Sequence, residues 1–288
     1  MLLKSGYKSV KTFFKCAYFA VFDLIRHAGI EYAGYLSFVV LLSLFPFLIF
    51  LTAVASNVLS VLDKEGLFYV KLLGALSDEL SHDTMYALLP RINEILSGPP
   101  QSLLTIAVMA MIWSASSVIE GIRNVLNKAF RVYAPPPYLL GRLFSIVQFL
   151  AMVLIVIFFT VCMALIPILF EVTRGWQYFK VSIAEFMLFI CIFWLYFVVP
   201  NKRQTLQAVI PGAVMVTILW TASSMIFSWY LSNFSVLKSI YGNLTGIVAA
   251  LLFFYVLSIL FIYGAELNHR LFKHMYHAKR KVDSIVTH

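Results

Sequence analysis

Long stretches without a charged residue constrain this chain more than any other feature of its sequence. Five such stretches cover residues 32–62, 95–119, 143–170, 204–237 and 239–265. A sixth, at 181–201, carries a single acid, Glu185, near its start. Each can supply the roughly 20 apolar residues that an α-helix needs to cross a bilayer. Because lipid cannot hydrogen-bond a free backbone, runs of this kind form helices. The sequence therefore predicts an all-α fold, a polytopic membrane bundle of six transmembrane helices.

The composition excludes the main soluble alternatives. Hydrophobic residues make up 61% of the chain and charged residues 12%, against about 45–50% and 25% in globular proteins. A soluble domain cannot bury so much apolar surface, and a disordered chain would be far more polar. The three cysteines form no CxxC motif or disulfide framework, and four lysines interrupt the N-terminus where a cleavable signal would need an apolar core.

The basic residues predict the orientation of the bundle. Sixteen of the 22 lysines and arginines lie in the N-terminal segment, two alternate loops and the C-terminal tail, and six lie in the intervening segments. Cytoplasmic loops of membrane proteins carry the excess of basic residues. Both termini are therefore predicted to be cytoplasmic, and topology explains most of the net charge of +9. No nucleic-acid partner is expected.

The same reasoning divides the chain into three parts. Residues 1–31 are predicted to form a cytoplasmic amphipathic helix, with lysines at every third or fourth position opposite an apolar face. This helix either lies on the inner leaflet or packs on the protein's own cytoplasmic side. Residues 32–268 form the transmembrane domain, with an extracytoplasmic helical insertion at 63–97, and residues 269–288 form a basic cytoplasmic tail. The predicted spans are 32–62, 101–121, 143–170, 181–200, 207–232 and 244–267.

Several residues are expected to shape or pack the spans. Pro46 falls inside the first span and predicts a kink. The small residues Gly242, Gly246 and Ala250, spaced by four, predict a close contact between two helices, and Tyr241 and Gly264 are also expected to pack or kink the spans. Trp113-Ser-Ala-Ser-Ser-Val-Ile119 in span two also echoes Trp220-Thr-Ala-Ser-Ser-Met-Ile226 in span five. The echo indicates either an inverted repeat with a site between its halves, or the small residues common at helix contacts.

A polar stripe at the cytoplasmic end of span two is the candidate substrate path. The polar residues of this stripe recur at intervals of three or four along span two, with arginines beside them. Two more polar residues lie at the end of span six. The stripe either lines a hydrophilic vestibule or is a salt-bridged helix end. Glu31 and Glu185 are further acids near membrane depth, each close enough to a span end to reach interfacial water. The candidate residues are Ser116, Ser117, Glu120, Arg123, Asn124, Asn127, Arg142, Glu266 and Asn268.

Motifs for metal, nucleotide or nucleophile chemistry are missing from the sequence. His269, His274 and His277 lie in the basic tail without the acidic or cysteine partners that a metal site needs. There is no Walker A, GxSxG, HExxH or dinucleotide-binding motif. We expect no catalytic residues, no metal and no cofactor.

Three groups of residues carry a resemblance to a known family. They are Tyr35-Leu-Ser-Phe-Val-Val-Leu-Leu-Ser-Leu-Phe-Pro46, Trp113-Ser-Ala-Ser-Ser117 with Asn124 and Asn127, and Tyr241-Gly-Asn-Leu244 with Gly264-Ala-Glu-Leu-Asn268. In this order they resemble the YihY / virulence factor BrkB family, over residues 25–270. Two departures are Gly-Asn-Leu in place of the usual Gly-Ser-Leu after Tyr241, and Ile119-Glu120 in place of small or apolar residues. The second argues against a family-wide role for Glu120.

The resemblance implies a multi-pass protein of the bacterial inner membrane. The family long carried the label ribonuclease BN, a tRNA-processing enzyme, which is generally regarded as a misassignment, and suggested functions concern movement of lipids or lipopolysaccharide precursors. With membrane lipids as partners, a transporter of a lipid or another amphipathic envelope molecule is the preferred hypothesis. A membrane-bound ribonuclease, which would need Glu120 and Glu266 to hold a metal, and a non-catalytic envelope scaffold are the alternatives. The sequence is also compatible with a homo-oligomer.

Overall fold

The computed structural model describes residues 2–62, 101–132, 137–170, 176–202, 204–233 and 244–286. All regular secondary structure within these ranges is helical, which confirms the all-α fold class. Seven helices are present there: α1 (Leu2–Arg26), α2 (Gly29–Leu62), α3 (Gln101–Ala129), α4 (Tyr138–Phe170), α5 (Trp176–Val198), α6 (Leu206–Asn233) and α7 (Thr245–Val286). The predicted insertion 63–97 and the residues Tyr241 and Gly242 lie outside the described residues.

Five of these helices are long and apolar enough to cross a membrane. The candidate spans are Gly29–Ile49, Tyr138–Phe159, Val181–Val198, Leu206–Leu231 and Thr245–His274. The predicted count of six is therefore not confirmed, since the predicted span 101–121, which falls in α3, is not among these five. The first half of α3 carries no charged residue, whereas its second half carries Glu120, Arg123 and Lys128.

The chain divides into two compact units, residues 1–41 with 116–288, and residues 42–115. In the smaller unit, Pro46 lies inside α2, which continues through it. Trp113 is 60% exposed in this unit. In the larger unit Trp220 packs against the core and its indole N–H donates to the carbonyl oxygen of Leu257 at 2.9 Å. The two tryptophans of the sequence echo thus have different surroundings within their own units, and both interpretations of the echo stay predictions.

Helix α6 is central in the larger unit, where it packs most closely against α7 and α5. Its buried small and branched residues, such as Val209 and Val216, face α5 and α7 across the core. The rings of Tyr196 on α5 and Phe261 on α7 stack with centroids 4.7 Å apart. The Tyr196 hydroxyl also donates to the Phe261 carbonyl oxygen, so this buried polar group is satisfied.

Two glycines allow the close approach of α6 and α7. A Cβ atom added at Gly264 would lie 2.5 Å from the Tyr196 hydroxyl and 3.3 Å from the Gly212 carbonyl oxygen, and would overlap Val216. Gly264 was among the predicted packing residues, whereas the spacing motif predicted a close contact at Gly242, Gly246 and Ala250. At Gly246 no described atom lies within 4 Å of an added Cβ. The small-residue contact is therefore at Gly212 and Gly264 in the residues that the structure describes.

Helix α1 uses one face to pack on α7 and leaves another exposed. Cys16 and Ala20 are buried against Leu267 of α7, while Phe14 and Tyr18 are 67% and 62% exposed. The first face corresponds to packing on the protein's own surface, and the second remains available to lipid. Helix α7 itself continues to 286, through the segment 269–288 that the sequence analysis assigned to a basic tail.

Candidate functional site

Polar side chains of the larger unit gather where six of its segments meet. These segments are the α1–α2 turn, the second half of α3, the start of α4, the end of α5, the start of α6 and residues 266–270 of α7. The helix directions alternate along the chain, so their alternate ends meet on one side of the bundle. We call this region the polar end. The charge pattern predicts that it faces the cytoplasm.

Arg142 joins α4 to α3 at the polar end. Its guanidinium donates to the Glu120 carboxylate at 2.6 Å and to the Ser117 hydroxyl at 2.8 Å. Residues three apart on a helix share a face, which is why Ser117 and Glu120 can both reach it. Arg142 is 7% exposed, and Glu120 is partly buried. This ion pair matches the salt-bridged interpretation of the stripe rather than a free arginine in a vestibule.

Arg123 is the most deeply buried arginine of the described residues, with 2% of its surface exposed. It donates to the Gly141 carbonyl oxygen and to Oε1 of Gln148, while Nε2 of Gln148 donates to the Val198 carbonyl oxygen at 3.0 Å. Its Nε has no hydrogen-bond partner among the described residues. Burial lowers the pKa of Arg123 below its ordinary value, and the charge of Glu120 offsets part of this effect. Of the two arginines, Arg142 forms the ion pair with Glu120, and Arg123 is held by uncharged oxygen atoms.

The remaining stripe residues point in different directions. Asn127 is buried, and its Oδ1 accepts a hydrogen bond at 2.9 Å from the backbone N–H of Asn201, which follows α5. Its Nδ2 has no partner among the described atoms. Ser116 is fully buried, whereas Asn124 is exposed. The predicted stripe is therefore divided between packing contacts and solvent, and does not line one continuous face.

Glu266 is held in a second charged cluster, with 1% of its surface exposed. Arg131 donates to its two carboxylate oxygens at 3.1 and 2.9 Å, and His27 Nδ1 lies 3.4 Å from the same carboxylate. Arg131 has a φ of 59°, and its backbone N–H donates to Lys128 O at the end of α3. It therefore occupies the left-handed C-terminal position that usually belongs to glycine. A non-glycine residue in this conformation is strained, and the side-chain contacts with Glu266 hold it there.

Asn268 contacts α6 beside Pro211, which lies inside this continuous helix. Pro211 has no N–H, so the helix loses one backbone hydrogen bond there. The Asn268 side chain accepts from the Gly212 N–H at 2.7 Å and donates to Val209 O at 3.2 Å. Gly212 permits this contact, because an added Cβ would overlap the Asn268 amide.

We expect Asn268→Leu to lower the free energy of unfolding by about 1–3 kcal/mol, because it leaves the Gly212 N–H buried without a partner. Chemical unfolding in detergent, followed by circular dichroism, measures the change. Asn124→Leu is the control, because Asn124 is exposed and surface substitutions usually change stability by less than about 0.5 kcal/mol. Equal stability of the two variants would contradict a structural role for Asn268.

An acidic metal site is not assembled by Glu120 and Glu266, which pair with different arginines. In the part of the chain that the structure describes, no group of three histidine, cysteine or acidic residues could hold a metal ion. Asp23 pairs with Arg270 as well. Burial alone would raise the pKa of Asp23, but the hydrogen bond and charge of Arg270 outweigh it and hold this pKa below its ordinary value.

The residues that sequence reasoning missed are those whose partners are distant in the chain. No sequence pattern indicates the contact of His27 and Arg131 with Glu266. Gln148 did offer a sequence signal, since it is the single amide within the apolar run 143–170. The pair Pro211-Gly212 inside an apolar span was a second signal, since proline removes one backbone hydrogen bond of the helix.

Two apolar spaces border α2 in the larger unit. A cavity of about 210 Å³ is lined by residues of α2, α3, α5, α6 and α7. A more open groove of about 460 Å³ lies between Gly34, Ser37 and Phe38 of α2 and Val248–Tyr255 of α7. Helix α2 itself packs tightly nearer the polar end, where Ala33 and Leu36 are buried. The cavity is lined by Leu36, Val40, Ile122, Leu195, Trp220, Phe254, Leu257, Ser258 and Phe261.

The chain resembles known proteins over most of its length. It is 32% identical to the putative ribonuclease-like protein YfkH of Bacillus subtilis (strain 168), over 86% of this chain and 91% of that protein. It is 27% identical to a UPF0761 membrane protein of Pseudoalteromonas atlantica, over 82% of this chain and 79% of that protein. No solved structure matches significantly.

The family described as Virulence factor BrkB matches residues 21–284. This range includes the polar end, both apolar spaces and all five candidate spans. The resemblance drawn from the sequence motifs is therefore confirmed. The chain is a membrane protein and belongs to the virulence factor BrkB family.

Proposed function

We propose that this protein is a transporter that moves a lipid or another amphipathic molecule of the cell envelope. The observation that carries the proposal is the apolar cavity of about 210 Å³ between five helices of the larger unit. An apolar cavity of about 150 Å³ in a soluble protein is already able to bind a molecule such as benzene. A cavity of this kind at membrane depth suits the hydrocarbon part of an amphipathic substrate.

The surroundings of α2 support movement through this region. Leu36 and Val40 of α2 line the cavity, whereas Gly34, Ser37 and Phe38 of the same turns line the groove of about 460 Å³ beside Leu251 and Leu252. Both spaces are apolar, so each suits the hydrocarbon chains of an amphipathic molecule.

The charges at the polar end favour a substrate with an anionic headgroup. The described side chains there include two buried arginines, Arg123 and Arg142, of which Arg142 pairs with the Glu120 carboxylate while Arg123 bonds to the Gly141 carbonyl oxygen and Gln148. The net positive charge of this cluster attracts anions strongly, because the surrounding medium screens charge poorly. Guanidinium groups bind phosphates and carboxylates through paired hydrogen bonds.

We further propose that the protein lies in a bacterial inner membrane with both termini in the cytoplasm. The concentration of sixteen basic residues on one side supports this orientation. The exposed aromatic residues Phe14, Tyr18 and Phe22 of α1 then face the inner leaflet.

One observation favours the ribonuclease alternative: the Bacillus subtilis relative is named a putative ribonuclease-like protein. Metal-dependent hydrolysis in this chain would need Glu120 and Glu266 to leave Arg142 and Arg131. Breaking a buried ion pair in this way is costly. An envelope-assembly scaffold would use the same fold without moving any molecule.

The experiment is translocation of a fluorescent anionic phospholipid in vesicles that contain the purified protein. Ser258→Phe fills the cavity and should slow translocation about tenfold or more, a barrier change of roughly 1.4 kcal/mol. Leu154→Phe is the matched control, because Leu154 is 66% exposed on α4 and should leave the rate unchanged.

RNA hydrolysis is measured on the same preparation, freed of contaminating nucleases. The transporter proposal is overturned if no translocation occurs under any ion gradient. Metal-dependent hydrolysis that disappears in Glu120→Ala and Glu266→Ala would then establish the ribonuclease alternative. If neither activity is detected, the envelope-assembly scaffold is the remaining alternative.

A further inference from the structure

Glu185 is an acidic residue inside a candidate membrane span, Val181–Val198 of α5. Thirteen residues separate it from Val198 at the polar end, a distance of about 20 Å along the helix. It is partly buried, and no ion pair of the described side chains includes it. It lies about one turn after Val181, where the span begins, and an acid inside a span is a candidate functional group by default.

Thr221 of α6 contacts the carboxylate of Glu185. Its Oγ1 lies 3.0 Å from Oε1 and 2.9 Å from Oε2 of Glu185. The same Oγ1 lies 3.1 Å from the carbonyl oxygen of Thr217, one turn earlier in α6. A hydroxyl has one proton to donate, so it can serve only one of these acceptors at a time.

This geometry satisfies both protonation states of the carboxyl group. When Glu185 is ionised, the Thr221 hydroxyl donates to the carboxylate. When Glu185 is protonated, its own O–H can donate to Oγ1 of Thr221, and the Thr221 proton turns to Thr217 O. Neither state leaves a polar group without a partner, which removes a penalty that a buried change of charge usually carries.

The facing helices supply few other groups that titrate. Between 206 and 229, α6 has no ionisable side chain, and α4 has none between 143 and 161. On α5 itself, Cys191 and Tyr196 lie toward the polar end, while Tyr178 and Lys180, whose side chains are outside the described residues, precede the span. Among the described side chains of α4, α5 and α6, Glu185 is therefore the one carboxyl group at this level.

We propose that Glu185 and Thr221 form a proton-binding site within the membrane. The step is the transfer of one proton from water to a carboxylate oxygen, with formation of an O–H bond and exchange of the Thr221 hydrogen bond to Thr217 O. A site of this kind would couple a proton gradient to movement of the substrate. This coupling role rests on the proposed transport function, whereas proton binding itself does not.

The test is infrared difference spectroscopy of the purified protein in lipid, recorded through a pH titration. A carboxyl C=O signal should appear as the pH falls and be lost in Glu185→Gln. Glu31→Gln is the matched control, because Glu31 is exposed in the first turn of α2 and should leave the signal unchanged. Glu185→Asp keeps an acid at the position and should move the signal to another frequency.

The role of the hydroxyl is tested at Thr221. Thr221→Val removes the hydroxyl that contacts the carboxyl group and should shift the frequency of its C=O signal. Thr221→Ser keeps the hydroxyl and should leave the frequency unchanged. A signal that neither Glu185→Gln nor Glu185→Asp alters overturns the site. Identical C=O frequencies for the two Thr221 variants overturn the part assigned to the hydroxyl.

Coupling is measured separately by comparing lipid translocation with and without a pH gradient. If a pH gradient accelerates translocation by the wild-type protein but not by Glu185→Gln, the result supports the coupling role. If the gradient leaves the wild-type translocation rate unchanged, the result overturns it. Because the infrared titration needs no substrate, loss of the transport proposal and loss of the proton site give different results.

Discussion

Arg131→Gly is expected to lower the free energy of unfolding by about 3–5 kcal/mol, the usual effect of removing one partner from a buried ion pair. The variant leaves the Glu266 carboxylate, 1% exposed, with only His27 beside it. It also removes the side-chain hydrogen bonds from Arg131 to Lys128 O and Ala129 O at the end of α3. Chemical unfolding in detergent measures the change.

The choice of glycine separates the side chain from the backbone. At a φ of 59° glycine is unstrained, so the loss measured in Arg131→Gly belongs to the missing guanidinium. Arg131→Ala should be less stable still by about 1 kcal/mol, because alanine is strained in this conformation. The double variant Arg131→Gly with Glu266→Gln should recover much of the loss, since no buried charge remains. If Arg131→Gly were as stable as the wild-type protein, the result would contradict the role of the ion pair.

Gly264→Ala should be the most damaging substitution of a glycine in the described helices, with a cost of about 1–3 kcal/mol from overpacking. The added methyl group would overlap Val216 and crowd the Tyr196 hydroxyl, which is already bonded to Phe261 O. Neither Val216 nor the hydrogen-bonded Tyr196 hydroxyl is the mobile end of a flexible side chain. Thermal unfolding in detergent and the yield of folded protein report the loss.

Gly246→Ala is the matched control in the same helix. No described atom lies within 4 Å of the added methyl group, and alanine favours a helix over glycine by up to about 1 kcal/mol. This variant should therefore be as stable as wild type or slightly more stable. Val216→Ala combined with Gly264→Ala should recover part of the loss. The packing explanation fails if Gly264→Ala and Gly246→Ala behave alike.

The helices of this protein could be predicted from sequence because each is a local consequence of apolar length. Uncharged runs gave the α2, α4, α5, α6 and α7 spans, since lipid requires each such run to satisfy its own backbone. Helix α3 was harder to assign to the membrane, because its second half mixes charged and apolar residues.

The partners of the polar residues could not be predicted in the same way. Arg131 and Glu266 are 135 residues apart in the chain, and no spacing rule links them. The close helix contact at Gly264 likewise depends on what α6 presents to it, whereas Gly242 and Gly246 satisfied the spacing motif within one helix. A small residue permits close approach, but only the second helix determines whether the approach occurs.

The joining of the first and last helices has a consequence for how the chain is made. Arg270 and Tyr263 of α7 donate hydrogen bonds to Asp23 and to the Ala17 carbonyl oxygen of α1, respectively. These bonds therefore form only after the last helix has been synthesised. Proteins emerge from the ribosome N-terminus first. Until α7 is inserted, His27 and Arg131 lack the carboxylate that joins them. The larger unit therefore closes in the last stage of biosynthesis, and a chain arrested before Glu266 has no means of completing it.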